Sequence, residues 1–370
     1  MFRNVRILHP AAAFGFLAAT LPQDGDEAKE RLGNAVRTLE MTITTKQMIT
    51  LLPFVIRHCP RLHELSLSFH TDMDVNTLLK PPPILSESQV IPSTPDSPLS
   101  IPPGSQAWLT ISYGDIPLPP IQALRISCTL SPSTLSQRLI KIFPGVRHLV
   151  VSGQALVELC LTPQSSTADL EGSLELRLYE FQTGRSLNRA PPVAAHTIRA
   201  SLRNSIGTLQ ILDLTGISPG LIGLSEQLFT EHGPHLRSLR LPSISRDIRL
   251  PFLKYCTELE EIAIAGLPSK YVMVSCPLGK IQHASFTMLT SQVNDPITPI
   301  LNWLKRFPSL EVLSWSMHRV PAGPQRGEIT AKIRKFCAKN RVRMRTPTTT
   351  ELEVRINPSW LSRLLDESPL

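Results

Sequence analysis

The chain has 370 residues, 42% of them hydrophobic, and a formal net charge of +8. This composition excludes an intrinsically disordered chain, and no apolar run is long enough to span a membrane. Six cysteines, none in a C-x-x-C pair, exclude a zinc knuckle and a disulfide-dense secreted scaffold, so a cytoplasmic or nuclear, reducing location is expected.

A short apolar phrase recurs from the first residues onward, with its second and third positions three and five residues after the first. Phe2-Val5-Ile7 carries this spacing and is followed by an alanine-rich stretch, Ala11 to Leu21, that predicts a helix. Arg3, Arg6 and the apolar run after them could also be read as a targeting peptide, but the repeat spacing favours a structural role. Val36-Leu39-Met41 and Leu62-Leu65-Leu67 follow, separated by a helix-like run, Leu51 to Cys59, that stops at Pro60. The last two positions of each phrase are two apart, so they share one face of a strand. A helix, a stop, a turn and a short parallel strand therefore form the predicted unit.

Pro81-Pro82-Pro83 opens a proline- and serine-rich stretch, and Lys80 to Gln106 is expected to be a flexible insertion (residues 80–106) between repeats. It contains Thr94-Pro95 and Ser97-Pro98, which fit proline-directed phosphorylation. The phrase resumes at Ile121-Leu124-Ile126 and at Val146-Leu149-Val151, the latter after a predicted helix Leu135-Leu139-Phe143 ended by Pro144. Leu174 to Tyr179 alternates strictly and predicts a half-buried strand, with an interruption from Thr183 to Pro192 after it. Ile198-Leu202-Ile206 predicts a helical stripe, and Gly207 takes the stop position held by proline elsewhere. Five further phrases are Leu209-Leu212-Leu214, Leu236-Leu239-Leu241, Leu259-Ile262-Ile264, Ile281-Ala284-Phe286 and Leu310-Leu313-Trp315. Val342 and Met344 predict the last strand, and residues 346–370 a C-terminal cap with a strand at Leu352-Val354-Ile356 and a helix at Trp360 to Leu365.

Where copies are contiguous they start roughly 23 to 32 residues apart, the period of a leucine-rich repeat. The expected fold is thus α/β: one irregular leucine-rich-repeat solenoid over residues 1–370, a right-handed arc with a parallel concave sheet and helices on the convex side. Regular arrays carry an asparagine three residues after the strand. Here His70, Thr129, Ile217, Ile244 and Leu267 stand in that place, so no regular asparagine ladder is expected.

No P-loop, H-E-x-x-H or G-x-S-x-G motif is present. Gly216, Gly220 and Gly223 depart from dinucleotide spacing. Cys59 and Cys256 occupy the position that holds Phe143 and Phe307 in other units, which marks them as packing residues. His58 and Cys59 alone cannot build a tetrahedral metal site. No catalytic residue, cofactor or metal is expected. The residue between the last two apolar positions should project from the concave face. Glu40, Ser66, Arg125, Val150, Arg177, Asp213, Arg240, Ala263 and Ser314 form this row, flanked by His148, Tyr179, Thr215 and Ser316. An open sheet face of this kind is the usual binding surface of repeat arrays, so Glu40, Ser66, Arg125, Arg177, Tyr179, Asp213, Arg240 and Ser314 are the candidate protein-binding residues. A second reading is binding of nucleic acid or an anionic surface through Lys332, Arg334, Lys335, Lys339, Arg341, Arg343 and Arg345. It is the lesser alternative, because no aromatic stacking platform accompanies these residues.

Phe2-Arg3-Asn4-Val5-Arg6-Ile7, with the helix and the Ala35 to Glu40 phrase after it, resembles fungal F-box proteins with leucine-rich repeats, above all the divergent group of mushroom-forming (basidiomycete) fungi. Leu51 to Leu67, with His58-Cys59-Pro60-Arg61-Leu62, resembles them too. The resemblance covers nearly the whole chain in general layout. It implies a non-enzymatic substrate-recognition scaffold of a ubiquitin-ligase receptor with a protein partner. The F-box itself is absent from these residues, so a Skp-type adaptor is implied only if an F-box lies upstream. No membrane partner is expected.

Overall fold

The structure, a computed structural model, describes residues 4–20, 32–70, 118–128, 139–140, 142–153, 176–184, 195–217, 226–243, 250–267, 279–288, 297–316 and 324–345. The 80–106 insertion, the 346–370 cap and both Ser/Thr-Pro sites lie outside them. The chain forms two compact units, Met1–Thr208 and Leu209–Leu370.

The first unit contains strands β1 (Asn4–Ile7), β2 (Thr38–Ile43), β3 (Glu64–Phe69), β4 (Ala123–Cys128), β5 (His148–Gly153) and β6 (Glu180–Gly184). All pair parallel, each with the next in the chain. Its helices are α1 (Pro10–Thr20), α2 (Lys46–Arg57) and α3 (Ala195–Leu202). Parallel neighbours require a returning connection between strands, which is why the apolar phrase recurs at intervals of a full unit rather than of a hairpin.

The second unit repeats the pattern with β7 (Ile211–Asp213), β8 (Ser238–Ser243), β9 (Glu261–Leu267), β10 (His283–Met288), β11 (Val312–Ser316) and β12 (Arg343–Arg345), again parallel and in chain order. Helices α4 (Glu226–His232), α5 (Ile297–Leu304) and α6 (Pro324–Lys339) lie between strands in the chain.

The apolar phrases form the core of each unit. Leu39, Leu65, Leu124 and Leu149 are in register and fully buried, as are Leu212, Leu239, Ile262, Ala284 and Leu313. Each such leucine or isoleucine side chain contributes about 1.5–3 kcal/mol of burial. The stop positions act as the sequence implies. Pro60 and Pro144 lie in turns, and Gly207 takes φ +84°, a left-handed conformation suited to glycine. The Thr45 hydroxyl caps α2 by accepting from the Met48 N–H at 3.3 Å.

A forked hydrogen bond opens most strands. The Arg37 carbonyl accepts from both His63 and Glu64 N–H, and the His63 carbonyl from both Gln122 and Ala123. Gln122, Arg147, Gln210, Arg237, Glu260 and Gln282 do the same for the strands that follow them. One carbonyl with two lone pairs thereby satisfies the last turn amide and the first strand amide together.

This fork corrects the sixth strand. The alternating Leu174–Tyr179 segment predicted a strand there, but the strand is Glu180–Gly184. The Arg147 carbonyl receives Tyr179 N–H at 2.8 Å and Glu180 N–H at 3.0 Å, placing Phe181 opposite Leu149. The apolar phrase is therefore Leu178-Phe181-Thr183, and Thr183, expected in a loop, is buried within the strand. The incoming coil is held by hydroxyls instead of a ladder. Leu178 N–H donates to Ser205 Oγ at 2.9 Å, Ser205 donates to the Leu176 carbonyl at 3.2 Å, and Thr208 donates to the Leu178 carbonyl at 2.9 Å.

The helical stripe before Gly207 is likewise shorter than expected. α3 ends at Leu202 and a 3-10 turn covers Arg203–Ser205, so Ile206 is 49% exposed and Ser205 is buried in its stead. A 3-10 turn has three residues per turn, which rotates Ile206 off the stripe defined by Ile198 and Leu202.

Candidate functional site

Alternation along each strand sends one set of side chains into the core and the other to a polar face. In the first unit the central polar row is Arg6, Glu40, Ser66, Arg125, Val150 and Gln182, in register across six strands. Three of the candidate residues, Glu40, Ser66 and Arg125, lie in this row. Arg6 Nε and Glu40 Oε1 pair at 3.0 Å on the surface. Ser66 is half-buried between Glu40 and Arg125, and Arg125 is exposed. Arg177 does not join the row. It is exposed, but it lies three residues ahead of Glu180, and Gln182 takes the place assigned to it.

Tyr179 is also displaced from the expected position. It occupies the forked lead-in position and leans on the His148 ring, with centroids 5.6 Å apart at 54°. Beside it is a buried polar group that the sequence did not reveal. His148 Nδ1 lies 2.8 Å from Glu180 Oε2, Glu180 is 1% exposed, and Gln182 Nε2 donates to Glu180 Oε1.

In the second unit the corresponding row is Asp213, Arg240, Ala263, Ser285, Ser314 and Arg345. Asp213 and Arg240 were expected on an open face, yet they are 6% and 4% exposed. Arg240 lies between two carboxylates: NH1 is 3.6 Å from Asp213 Oδ2 and NH2 is 3.9 Å from Glu261 Oε1. Asp213 Oδ1 accepts from Thr215 N–H at 2.8 Å and from its hydroxyl at 2.6 Å, while Ser238 Oγ donates to Glu261 Oε2 at 3.0 Å. These residues form a buried ionic network whose charges are turned toward one another rather than toward solvent. Buried charges persist only with such partners.

No protein-family model matches this chain, and no curated protein matches it significantly.

Ser314, the remaining candidate, is half-buried beside Ser285 and Arg345. It lines a recess of about 500 Å³ on the polar face between β9 and β12, together with His283, Ser285, Arg341, Arg343 and Arg345. The seven basic residues near the C-terminus are therefore divided by the fold. Lys332, Arg334, Lys335 and Lys339 lie exposed on α6, where Lys332 pairs with Glu328 at 2.8 Å. Arg341, Arg343 and Arg345 alternate along the β12 segment and meet the recess. Applying the polar-row spacing to Val342 and Met344 would have found the last two.

The cysteines behave as packing groups. Cys59, Cys128, Cys256 and Cys337 are buried, and burial pushes the Cys59 thiol up to about 12, away from nucleophilic reactivity. Among the described residues no group of three His, Cys, Asp or Glu side chains could hold a metal ion, and no helix is long and apolar enough to cross a membrane.

Proposed function

We propose that the chain is a non-enzymatic protein-interaction scaffold built as an irregular leucine-rich-repeat solenoid, similar to the substrate-recognition repeats of an F-box ubiquitin-ligase receptor. The polar row Arg6, Glu40, Ser66, Arg125, Val150 and Gln182, in register across six parallel strands, carries this reading. Adjacent strands set these side chains about 4.8 Å apart, so they offer a partner a closely spaced array of charges, hydroxyls and small apolar groups on a rigid sheet. Glu40, Ser66, Arg125 and Ser314 are the candidate contact residues that remain accessible on the polar rows and Arg177 is exposed beside them, whereas Asp213 and Arg240 are buried against one another. Skp-type adaptor binding enters this reading only through an F-box outside these 370 residues.

The test is affinity capture with the full chain and two sets of charge variants. Ser66→Glu with Arg125→Glu alters the polar face, and Arg334→Glu with Lys335→Glu alters α6. A protein partner recovered by the wild type should be lost with the first set and retained with the second. Recovery that falls equally with both sets, or no recovered partner at all, would overturn the proposal.

A further inference from the structure

The recess in the second unit is chemically distinct from the rest of the polar face. Its floor is small and polar, with Ser285 and Ser314 side by side and Val312 between His283 and Arg343. One side is strongly basic, formed by Arg341, Arg343 and Arg345, all exposed. Among the described residues none of these three arginines has an ion-pair partner. Arg240, by contrast, has its charge met inside the sheet by Asp213 and Glu261. The unit thus holds two kinds of arginine, one already neutralised and one set presented to solvent.

We propose that this recess binds an extended acidic segment of a protein partner, with carboxylates at alternate positions. The inference rests on the protein-binding reading above. Arg343 and Arg345 are two residues apart on a strand, so they repeat at about 6.6 Å, the same repeat as same-side groups of an extended peptide. A guanidinium offers a planar pair of donors to each carboxylate, and the Ser285 and Ser314 hydroxyls can donate to the remaining lone pairs. The volume of about 500 Å³ suits a few residues of peptide. Two features select against nucleic acid. Among the described residues no Phe, Tyr or Trp lines the recess to stack a base, and the exposed Glu311 carboxylate at its wall would repel a uniformly charged phosphate backbone. A peptide can place a neutral residue or an amide N–H group against that carboxylate.

Fluorescence anisotropy on the full chain tests this, with a labelled hexapeptide alternating glutamate and alanine as the probe. Saturable binding is expected at physiological ionic strength, and Arg343→Ala and Arg345→Ala should each weaken it about tenfold, equivalent to about 1.4 kcal/mol. Arg334→Ala with Lys335→Ala, on α6, should change it less than about twofold. All four side chains are exposed, so thermal melting should be unchanged. Absence of saturable binding overturns the proposal. So does equal weakening by the α6 variants, which would reveal unspecific charge attraction. Tighter binding of a hexameric oligo-dT, or of a peptide with one phosphoserine in place of the central glutamate, overturns the carboxylate assignment. A block peptide of three glutamates and three alanines that binds equally well overturns the alternate spacing. A photo-crosslinker at position 66 in the first unit separates the two readings. A partner crosslinked there while the acidic peptide fails to bind leaves protein binding intact and removes only the recess.

Discussion

Replacing Arg240 by alanine tests whether the ionic network in the second unit is structural. Arg240, Asp213 and Glu261 have side chains 5%, 9% and 16% exposed, so removal of the guanidinium leaves two carboxylates facing each other with little water. Breaking a buried ion pair by deleting one partner costs about 3–5 kcal/mol. Here the pairs are long, 3.6 and 3.9 Å, and the carboxylates keep their bonds from Thr215 and Ser238, so the lower part of the scale applies. A loss of about 3 kcal/mol is expected, which for a unit of this size lowers the melting temperature by roughly 6–12 °C. Thermal and urea unfolding followed by circular dichroism measure it. The same substitution in an Asp213→Asn background should cost about 1 kcal/mol less, because one of the stranded charges is already gone. A loss for Arg240→Ala below about 0.5 kcal/mol would refute the reasoning and return Arg240 to the open binding face.

Four other perturbations probe the fold. Cys59 sets an alkaline limit: its thiol is protonated in both states below the ordinary value of 9.0, whereas above it the unfolded thiol ionises and the buried one does not until about 12. Stability present below pH 9 is therefore lost as pH rises from 9 towards 12, by about 1.4 kcal/mol per unit from this group, and the fall in unfolding free energy between pH 8 and pH 10, from urea titrations, should be larger by about that amount in wild type than in Cys59→Ala. A Cβ on Gly33 would lie 2.1 Å from the His58 carbonyl oxygen, so Gly33→Ala should cost more than about 2 kcal/mol in a urea titration. Gly207→Ala meets no atom within 4 Å and bears only the strain of φ +84°, about 1 kcal/mol. Ser205→Ala removes the partner of Leu178 N–H and Leu176 C=O, and should cost about 2 kcal/mol and speed amide exchange at Leu178.

The spacing of leucines made most strands legible, because a phrase with positions three and five apart matches the turn-then-strand geometry of each unit. Val36-Leu39-Met41, Leu62-Leu65-Leu67 and Leu310-Leu313-Trp315 all lie in the core at their expected register. Leu174 to Tyr179 misled because strict alternation is a local signal, whereas register is fixed by the neighbouring strand. The Arg147 fork selects Tyr179 and Glu180, and a polar residue, Thr183, fills a core position held by an apolar residue in the other units. The candidate row was legible wherever the phrase was regular, as at Glu40, Ser66 and Arg125. Its accessibility was not legible. Whether an aspartate and an arginine face solvent or each other depends on which strands are adjacent, and Glu261, two positions off the row of Ala263, completes a network that no single phrase contains.

Net charge conceals the property that favours an acidic partner. Seven basic residues near the C-terminus suggest one patch, but the helix-then-strand unit places four on α6 and three along the β12 segment. On the helix, Lys332 is neutralised by Glu328 one turn away, and exposed pairs of this kind contribute little to stability or recognition. Along β12 the arginines stand beside serines, and a recess lowers the screening that water gives to charges on an open surface. Equal charge is therefore unequal in effect. Reversing Arg343 and Arg345 should alter anion binding far more than reversing Arg334 and Lys335, although both pairs change the net charge of +8 by the same amount.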